Sequence, residues 1–133
     1  KVADKMAQDY DIQDRVELVA GDMFADAFPS NVDTILLSNI LHDWDVPECQ
    51  QLIKRCVTAL APSGRILIHD VFLNDELDGP LPIALYSAAL FSLTEGRAYS
   101  AKEYQSWLHD AGLSTEPVVP TGVHCGVLTG TKG

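Results

Sequence analysis

Four histidines are the residues of this sequence best suited to acid–base chemistry near neutral pH. An imidazole has an ordinary pKa of about 6.5, so it can accept or release a proton under physiological conditions. His42 follows an apolar segment and stands in the motif Leu41-His42-Asp43-Trp44, whereas His69, His109 and His124 lack a distinctive context. A lone histidine after an apolar strand has two interpretations, because it can serve as a general base or be a structural side chain.

The three cysteines do not indicate a disulfide framework or a zinc site. Cys49, Cys56 and Cys125 are few and scattered, which is not the pattern of a disulfide-rich domain. No histidine or acid cluster joins them at the spacing of zinc ligands. We therefore predict reduced thiols, no metal site and a cytoplasmic location.

The charge balance restricts the class of partner. The chain has 133 residues with 9 Lys and Arg against 19 Asp and Glu, which gives a formal net charge of −10. Such a chain is a poor match for nucleic acid or for an anionic membrane surface, because both require basic residues. No apolar run approaches the ~20 residues of a membrane span. The expected partner is a small molecule.

Strand-like segments recur along the chain with helix-like segments between them. Residues 15–20 alternate in polarity and then break at Gly21-Asp22, as a strand before a turn does. The apolar runs at 33–38 and 65–71 are typical of strands buried on both faces of a parallel sheet. We predict strands near 16–20, 33–38, 65–71, 115–119 and 124–131.

Three helices are predicted between and after these strands. The first begins at Asp45, a suitable N-cap, has Pro47 in its first turn and ends before residues 62–64. Another begins at Ser100, where Glu103 completes a capping box. The segment 83–93 is apolar nearly all round, so we expect a helix there to be heavily covered.

The order of these elements predicts an α/β fold. A strand, a helix and a second strand between residues 33 and 71 form a crossover unit, which implies a parallel sheet. The short turn at residues 120–122 makes the last strand antiparallel. No Gly-x-Gly-x-x-Gly turn is present, although doubly wound domains often carry one. We predict a partial doubly wound, Rossmann-like sheet that lacks its first strands.

Two motifs in a fixed order connect the chain with a known family. Residues 19–24, Val-Ala-Gly-Asp-Met-Phe, precede residues 40–44, Ile-Leu-His-Asp-Trp, and residues 59–65 and 99–112 continue the similarity. The chain resembles the C-terminal part of S-adenosylmethionine-dependent O-methyltransferases of the caffeate or acetylserotonin type. The resemblance implies that residues 1–133 belong to a methyltransferase catalytic domain, without its Gly-rich cofactor loop and N-terminal dimerisation domain. It also implies a homodimer for the full-length protein.

The resemblance assigns a role to each matching residue. His42 matches the family's catalytic base, which deprotonates a hydroxyl as its oxygen attacks the sulfonium methyl of S-adenosylmethionine. Asp70 matches an acid that orients this base. The remaining matches imply contact with the cofactor: the turn Asp22, Met23 and Phe24 and the aromatic Trp44 border the adenine, and Ser38 replaces a lysine of plant members, as in bacterial-type enzymes.

One departure from the family pattern leaves the reaction open. Ala98 occupies the position of a second orienting acid, and Glu95, three residues away, is the acid that could replace it. The first hypothesis is methyl transfer to a hydroxyl of a small aromatic or polyketide-like molecule. The alternatives are an S-adenosylmethionine-binding relative with changed chemistry, such as hydroxylation or decarboxylation, and a non-catalytic fragment of the same fold.

Overall fold

The structure is a computed structural model that describes residues 1–133. Six strands form its sheet: β1 (Val32–Ser38), β2 (Leu60–Leu73), β3 (Tyr99–Ser100), β4 (Leu113–Thr115), β5 (Val119–Pro120) and β6 (Cys125–Lys132). The helices are α1 (Val2–Asp9), α2 (Val46–Ala59), α3 (Leu81–Leu93) and α4 (Ala101–Asp110), with short 3-10 turns at Gln13–Arg15 and Leu41–Asp43. None of these helices combines the length and apolar character needed to cross a bilayer.

The central strand β2 determines the topology of the sheet. It pairs in parallel with β1 and antiparallel with β6, and the order of the main strands is β1-β2-β6-β4. The parallel pair is joined by the crossover helix α2. The predicted α/β class and the antiparallel last strand are confirmed. In this register Ser38 lies opposite His69. The next residue of β2, Asp70, therefore lies beside the segment that follows β1.

Helix α2 begins where its capping signals predict. The Asp45 side chain accepts a hydrogen bond of 2.7 Å from the Val46 amide, and Pro47 occupies the first turn, where no amide hydrogen is needed. Its apolar stripe is buried at helical spacing and comprises Cys49, Leu52, Ile53 and Cys56. This stripe fixes the helix against the sheet.

Helix α4 is fixed by the predicted capping box. Ser100 Oγ accepts a 3.2 Å hydrogen bond from the Glu103 amide, and Glu103 Oε2 accepts a 2.8 Å bond from the Ser100 amide. The helix buries Tyr104, Trp107 and Leu108. Together with the α2 stripe, these side chains form the main core over Ile66, Ile68 and Leu128 of the sheet.

The strand predicted at residues 16–20 is absent, and this prediction is wrong. The backbone at Val16 is extended, but residues 16–20 are exposed and pair with no other strand. Alternating residues favour extended backbone, yet a strand forms only beside a hydrogen-bonded neighbour. The expectation that β1 is buried on both faces is wrong for a related reason, since Leu36 remains 60% exposed.

The strand predicted at 115–119 is interrupted. The structure has β4 and β5 instead, and both pair antiparallel with β6. Pro117 lies between them, and a proline has no amide hydrogen to donate to the neighbouring strand. The interruption therefore follows from a single residue within the predicted segment.

Helix α3 forms as predicted but is not heavily covered, and this expectation is wrong. Only Ile83 and Leu90 are buried, and Ile83 packs with Leu73 and Ala98 in a small second cluster. Four of its large apolar side chains are between 63% and 82% exposed: Leu81, Leu85, Phe91 and Leu93. A helix that contacts its domain along one stripe leaves its other faces open, whatever residues they carry.

Candidate active site

The parallel pair of strands brings a histidine and an aspartate into contact. His42 lies in the 3-10 turn after β1, and Asp70 lies in β2. His42 Nδ1 and Asp70 Oδ1 are 2.7 Å apart, and the two residues are 4% and 1% exposed. A carboxylate can only accept a hydrogen bond, so Nδ1 donates and the neutral ring keeps its lone pair at Nε2.

Asp70 is held by further hydrogen bonds. The Val71 amide donates to Oδ1 at 2.8 Å, and the Tyr104 hydroxyl donates to Oδ2 at 3.4 Å. No buried side-chain nitrogen or oxygen in the structure lacks a partner. Because the carboxylate is fixed by backbone and core groups, it fixes the orientation of the His42 ring in turn.

The charges around His42 alter its basicity. Burial by itself lowers the pKa of His42, but the hydrogen bond to Asp70 and the negative charges of Asp70 and Asp43 outweigh burial and raise the pKa above 6.5. The ring is therefore a stronger base than an exposed imidazole. A buried, oriented imidazole with one free nitrogen can accept a proton from a hydroxyl placed beside it.

The free nitrogen of His42 faces Tyr86, which the sequence interpretation missed. The Tyr86 hydroxyl lies 3.4 Å from His42 Nε2, and the two rings meet edge to face at a centroid distance of 5.7 Å. Asp43 Oδ1 is 3.7 Å from the same nitrogen. Tyr86 is the only titratable side chain in α3, and this isolation in an apolar helix is the signal that could have identified it.

A glycine holds the turn that carries His42. The loop at 94–98 packs directly on residues 42–44, and the Glu95 amide donates to the Asp43 carbonyl. A Cβ atom at Gly96 would lie 2.6 Å from the nitrogen and oxygen of Trp44 and closer still to the His42 carbonyl oxygen. Only a glycine allows this approach of two backbones.

Replacing Gly96 by alanine is expected to lower the free energy of unfolding by about 1–3 kcal/mol, the usual effect of overpacking. The added methyl group must push residues 42–44 away from the loop, so His42 also shifts relative to Asp70. Chemical denaturation of the full-length protein measures the change. Gly122→Ala is the matched control, because a Cβ atom there meets nothing within 4 Å. Equal stability of the two variants would contradict the packing argument.

Two of the residues predicted to contact the cofactor adjoin each other. The Phe24 and Trp44 rings pack edge to face with centroids 4.7 Å apart, which joins the turn after residue 20 to the turn after β1. Asp22 Oδ1 accepts a 2.8 Å hydrogen bond from the Phe24 amide, while its other oxygen has no partner. Arg55 fixes this turn by donating to the Met23 carbonyl at 2.9 Å. A flat base fits such a set of aromatic faces and a free acceptor.

The Ser38 side chain hydrogen bonds to His69 and not to the other residues predicted to contact the cofactor. Its hydroxyl is 2.9 Å from His69 Nδ1, and His69 Nε2 is 3.2 Å from the Thr121 hydroxyl. This chain of side chains ties β1 and β2 to the turn before β6. The structure therefore joins Ser38 to His69 and does not hydrogen bond it to Asp22 or Trp44.

The position of the second acid is apolar in the structure. Ala98 is fully buried against Leu73 and Ile83, and its amide donates to Ser87 Oγ at 3.1 Å. Glu95 is exposed, and its carboxylate makes no hydrogen bond or ion pair. It does not take over the role of the missing acid, so Asp70 is the only carboxylate hydrogen bonded to His42.

A cavity of about 320 Å³ opens beside Tyr86. Its walls come from the end of β1, the end of β2, the start of α3 and the turn before β6: Asn39, Val71, Pro82, Ile83, Tyr86, Val123, His124 and Cys125. A second, apolar hollow of about 410 Å³ lies along β1 and α2. Neither His42 nor Asp70 lines either of these two cavities, and Tyr86 is the residue that links His42 to the first of them. No group of three or more His, Cys, Asp or Glu residues is arranged to hold a metal ion.

A mixed sheet with the His42–Asp70 pair at the carboxyl ends of its two parallel strands is typical of a Rossmann-like α/β domain. Residues 1–114 match the model of the O-methyltransferase domain family, and the chain belongs to this family. The chain is 40% identical over 121 residues to 3-hydroxy-5-methyl-1-naphthoate 3-O-methyltransferase of Streptomyces sahachiroi, an alignment that covers 89% of this chain and 35% of that enzyme.

Solved structures agree with this assignment. An O-methyltransferase family 2 protein from Planctomyces limnophilus, solved in complex with apigenin, superposes with a TM-score of 0.96 at 51% identity and covers 99% of this chain and 39% of its own. Human N-acetylserotonin methyltransferase in complex with SAM gives a TM-score of 0.81 at 28% identity, over 93% of this chain and 37% of its own. The chain thus spans between about a third and two fifths of the length of these relatives.

Proposed function

We propose that the full-length protein transfers a methyl group from S-adenosylmethionine to a hydroxyl of a small aromatic or polyketide-like molecule, with His42 as general base. The observation that carries the proposal is the buried His42–Asp70 pair, which leaves Nε2 as the free nitrogen. Membership of the O-methyltransferase domain family supports the reaction class. Residues 1–133 would form the C-terminal part of the catalytic domain.

The pair performs general-base catalysis in this proposal. S-adenosylmethionine, when bound, supplies an electrophilic methyl group on a positively charged sulfur. His42 Nε2 takes the proton of the substrate hydroxyl as a bond forms between its oxygen and the methyl carbon, and the carbon–sulfur bond breaks. Asp70 keeps its hydrogen bond to Nδ1 and stabilises the imidazolium that results.

The turn containing Asp22 is the proposed adenine side of the cofactor site. Phe24 and Trp44 would cover the base, Met23 would contact it, and the free oxygen of Asp22 would accept a hydrogen bond from its amino group. Ser38 is also proposed to border the cofactor, at the end of β1. The SAM complex of the human relative supports this choice of cofactor. Between Val16 and Ile53 there are seven acids and no Lys or Arg, and a negative field of this kind suits a cationic ligand, as it also suits a solvated surface.

Replacing Asp22 by asparagine is expected to weaken S-adenosylmethionine binding by roughly tenfold, the value of one hydrogen bond to a charged acceptor. Asparagine keeps an oxygen for the Phe24 amide but presents an NH₂ group where the free oxygen was. Calorimetric titration of the full-length protein measures the dissociation constant. Asp33→Asn, at an exposed acid of β1, removes the same charge and should bind normally. Unchanged affinity in Asp22→Asn would place the adenine elsewhere.

A changed reaction is the second candidate function, because the position of the second acid is a buried alanine. A relative that binds S-adenosylmethionine could carry out hydroxylation or decarboxylation with His42 oriented by one acid, Asp70. The mass of the product separates the two functions, since methyl transfer adds one carbon and two hydrogens to the substrate. A product that gains oxygen or loses carbon dioxide would overturn the first proposal, and a full-length protein that binds no cofactor would favour a non-catalytic role.

The homodimer of the full-length protein belongs to the same proposal. What supports it is the apolar surface of α3, where Leu85, Phe91 and Leu93 remain largely exposed. An apolar surface of this kind is normally covered by another subunit or by another part of the same protein.

A further inference from the structure

The hydroxyl of Tyr86 lies where a substrate hydroxyl has to arrive. His42 Nδ1 is occupied by Asp70, so the proton of the substrate must go to Nε2. The Tyr86 oxygen lies 3.4 Å from this nitrogen. At this separation the contact is a weak hydrogen bond. A third oxygen placed about 2.8 Å from each of the two atoms would complete a triangle with them and bond both at normal distance.

Packing of α3, and not the weak contact itself, sets the position of Tyr86. Ile83 and Leu90, on the same helix, are buried. Ser87 Oγ accepts a hydrogen bond from the Ala98 amide and ties the helix to the loop that supports His42. The ring edge of Tyr86 rests against the imidazole, while 41% of the residue is exposed. Tyr86 thus contacts His42 and also forms part of the wall of the neighbouring cavity.

We propose that Tyr86 is a substrate-positioning and specificity-determining residue whose hydroxyl donates a hydrogen bond to the attacking oxygen of the substrate. This inference rests on the proposed function of His42. The substrate oxygen has two lone pairs: one attacks the methyl carbon, and the other accepts the hydrogen bond from Tyr86. The substrate proton leaves to His42 Nε2, so the negative charge that develops on the oxygen is stabilised by a donor already in place.

Tyr86 acts as a donor and not as a second base. Burial and the negative charges of Asp70 and Asp43 raise the pKa of its hydroxyl above the ordinary value of 10. The hydroxyl keeps its proton at neutral pH, and the negative surroundings disfavour a phenolate. The Tyr86 hydroxyl would therefore donate a hydrogen bond to the attacking oxygen in a site where Ala98 stands in the position of the second orienting acid.

The inference predicts selectivity for oxygen nucleophiles. A sulfur atom is a weak hydrogen-bond acceptor, so a thiol gains little from Tyr86. 2-Naphthol and 2-naphthalenethiol form a matched pair of probes. We expect Tyr86→Phe in the full-length protein to lower kcat/KM for 2-naphthol about 5- to 10-fold, as one hydrogen bond is worth. For 2-naphthalenethiol the change should be less than about twofold.

Two control variants separate the possible outcomes. Phenylalanine keeps the ring edge against His42, so the variant loses only the hydroxyl, and Tyr10→Phe at an exposed, distant tyrosine should match the wild type with both probes. Equal losses for the two probes, or no loss for 2-naphthol, would overturn the role of Tyr86. His42→Ala is measured in parallel: if it retains normal turnover of 2-naphthol, the proposed function itself fails, whatever Tyr86→Phe shows.

Discussion

Replacing His42 by alanine is expected to lower the turnover of methyl transfer by about 10²–10⁴-fold, the usual contribution of a general base. Without Nε2, the substrate hydroxyl has no buried acceptor for its proton. The affinity for S-adenosylmethionine should remain nearly unchanged, because the proposed adenine contacts come from Asp22, Phe24 and Trp44. Steady-state kinetics and calorimetric titration of the full-length enzyme measure the two quantities separately.

The control for this experiment is His109→Ala, at an exposed histidine of α4 that should leave turnover normal. Near-normal turnover in His42→Ala would mean that methyl transfer proceeds by proximity alone or that the chemistry is different.

The pH profile of the rate gives a second test of His42 as the base. Only neutral His42 accepts a proton, and its pKa is raised, so the rate should fall on acidification with a midpoint above 6.5. Asp43→Asn removes one of the negative charges that raise the pKa of His42, so it should move that midpoint to lower pH.

Replacing Asp70 by alanine is expected to lower the free energy of unfolding by roughly 3–5 kcal/mol, as is typical when one partner of a buried pair is removed. The change leaves His42 Nδ1, the Val71 amide and the Tyr104 hydroxyl without their acceptor at a position that is 1% exposed. Denaturant titration of the full-length protein measures the loss. Asp70→Asn keeps the volume and one acceptor oxygen, so it should lose less than half as much.

The destabilisation by Asp70→Ala should depend on pH in a defined direction. Because the folded protein raises the pKa of His42 above 6.5, the pair contributes most below pH 6.5, where the ring is protonated in both folded and unfolded chains. That contribution is lost as the pH rises through the pKa of the folded state. The difference in unfolding free energy between wild type and Asp70→Ala should therefore be larger at pH 6 than at pH 8. A difference that grows with pH would show that Asp70 does not stabilise the imidazolium.

The sequence by itself determined the features that depend on neighbouring residues. Asp45 and Pro47 predicted the start of α2, and Ser100 with Glu103 predicted the capping box of α4, because caps act within one turn of helix. The apolar runs of β1 and β2 and the short turn at 120–122 were sufficient for the α/β class and the antiparallel last strand. The two ordered motifs carried the resemblance to O-methyltransferases, which the family match confirms.

Only the tertiary structure decided what depends on distant partners. Residues 16–20 have the pattern of a strand but no neighbour, and α3 has an apolar surface that nothing in the structure covers. Asp70 and His42 are 28 residues apart in the chain, and the parallel register of β1 and β2 brings them to 2.7 Å. Tyr86 and Gly96 reach the same turn from α3 and the loop after it. No local pattern encodes these contacts, because their geometry is set by how the sheet and helices pack together.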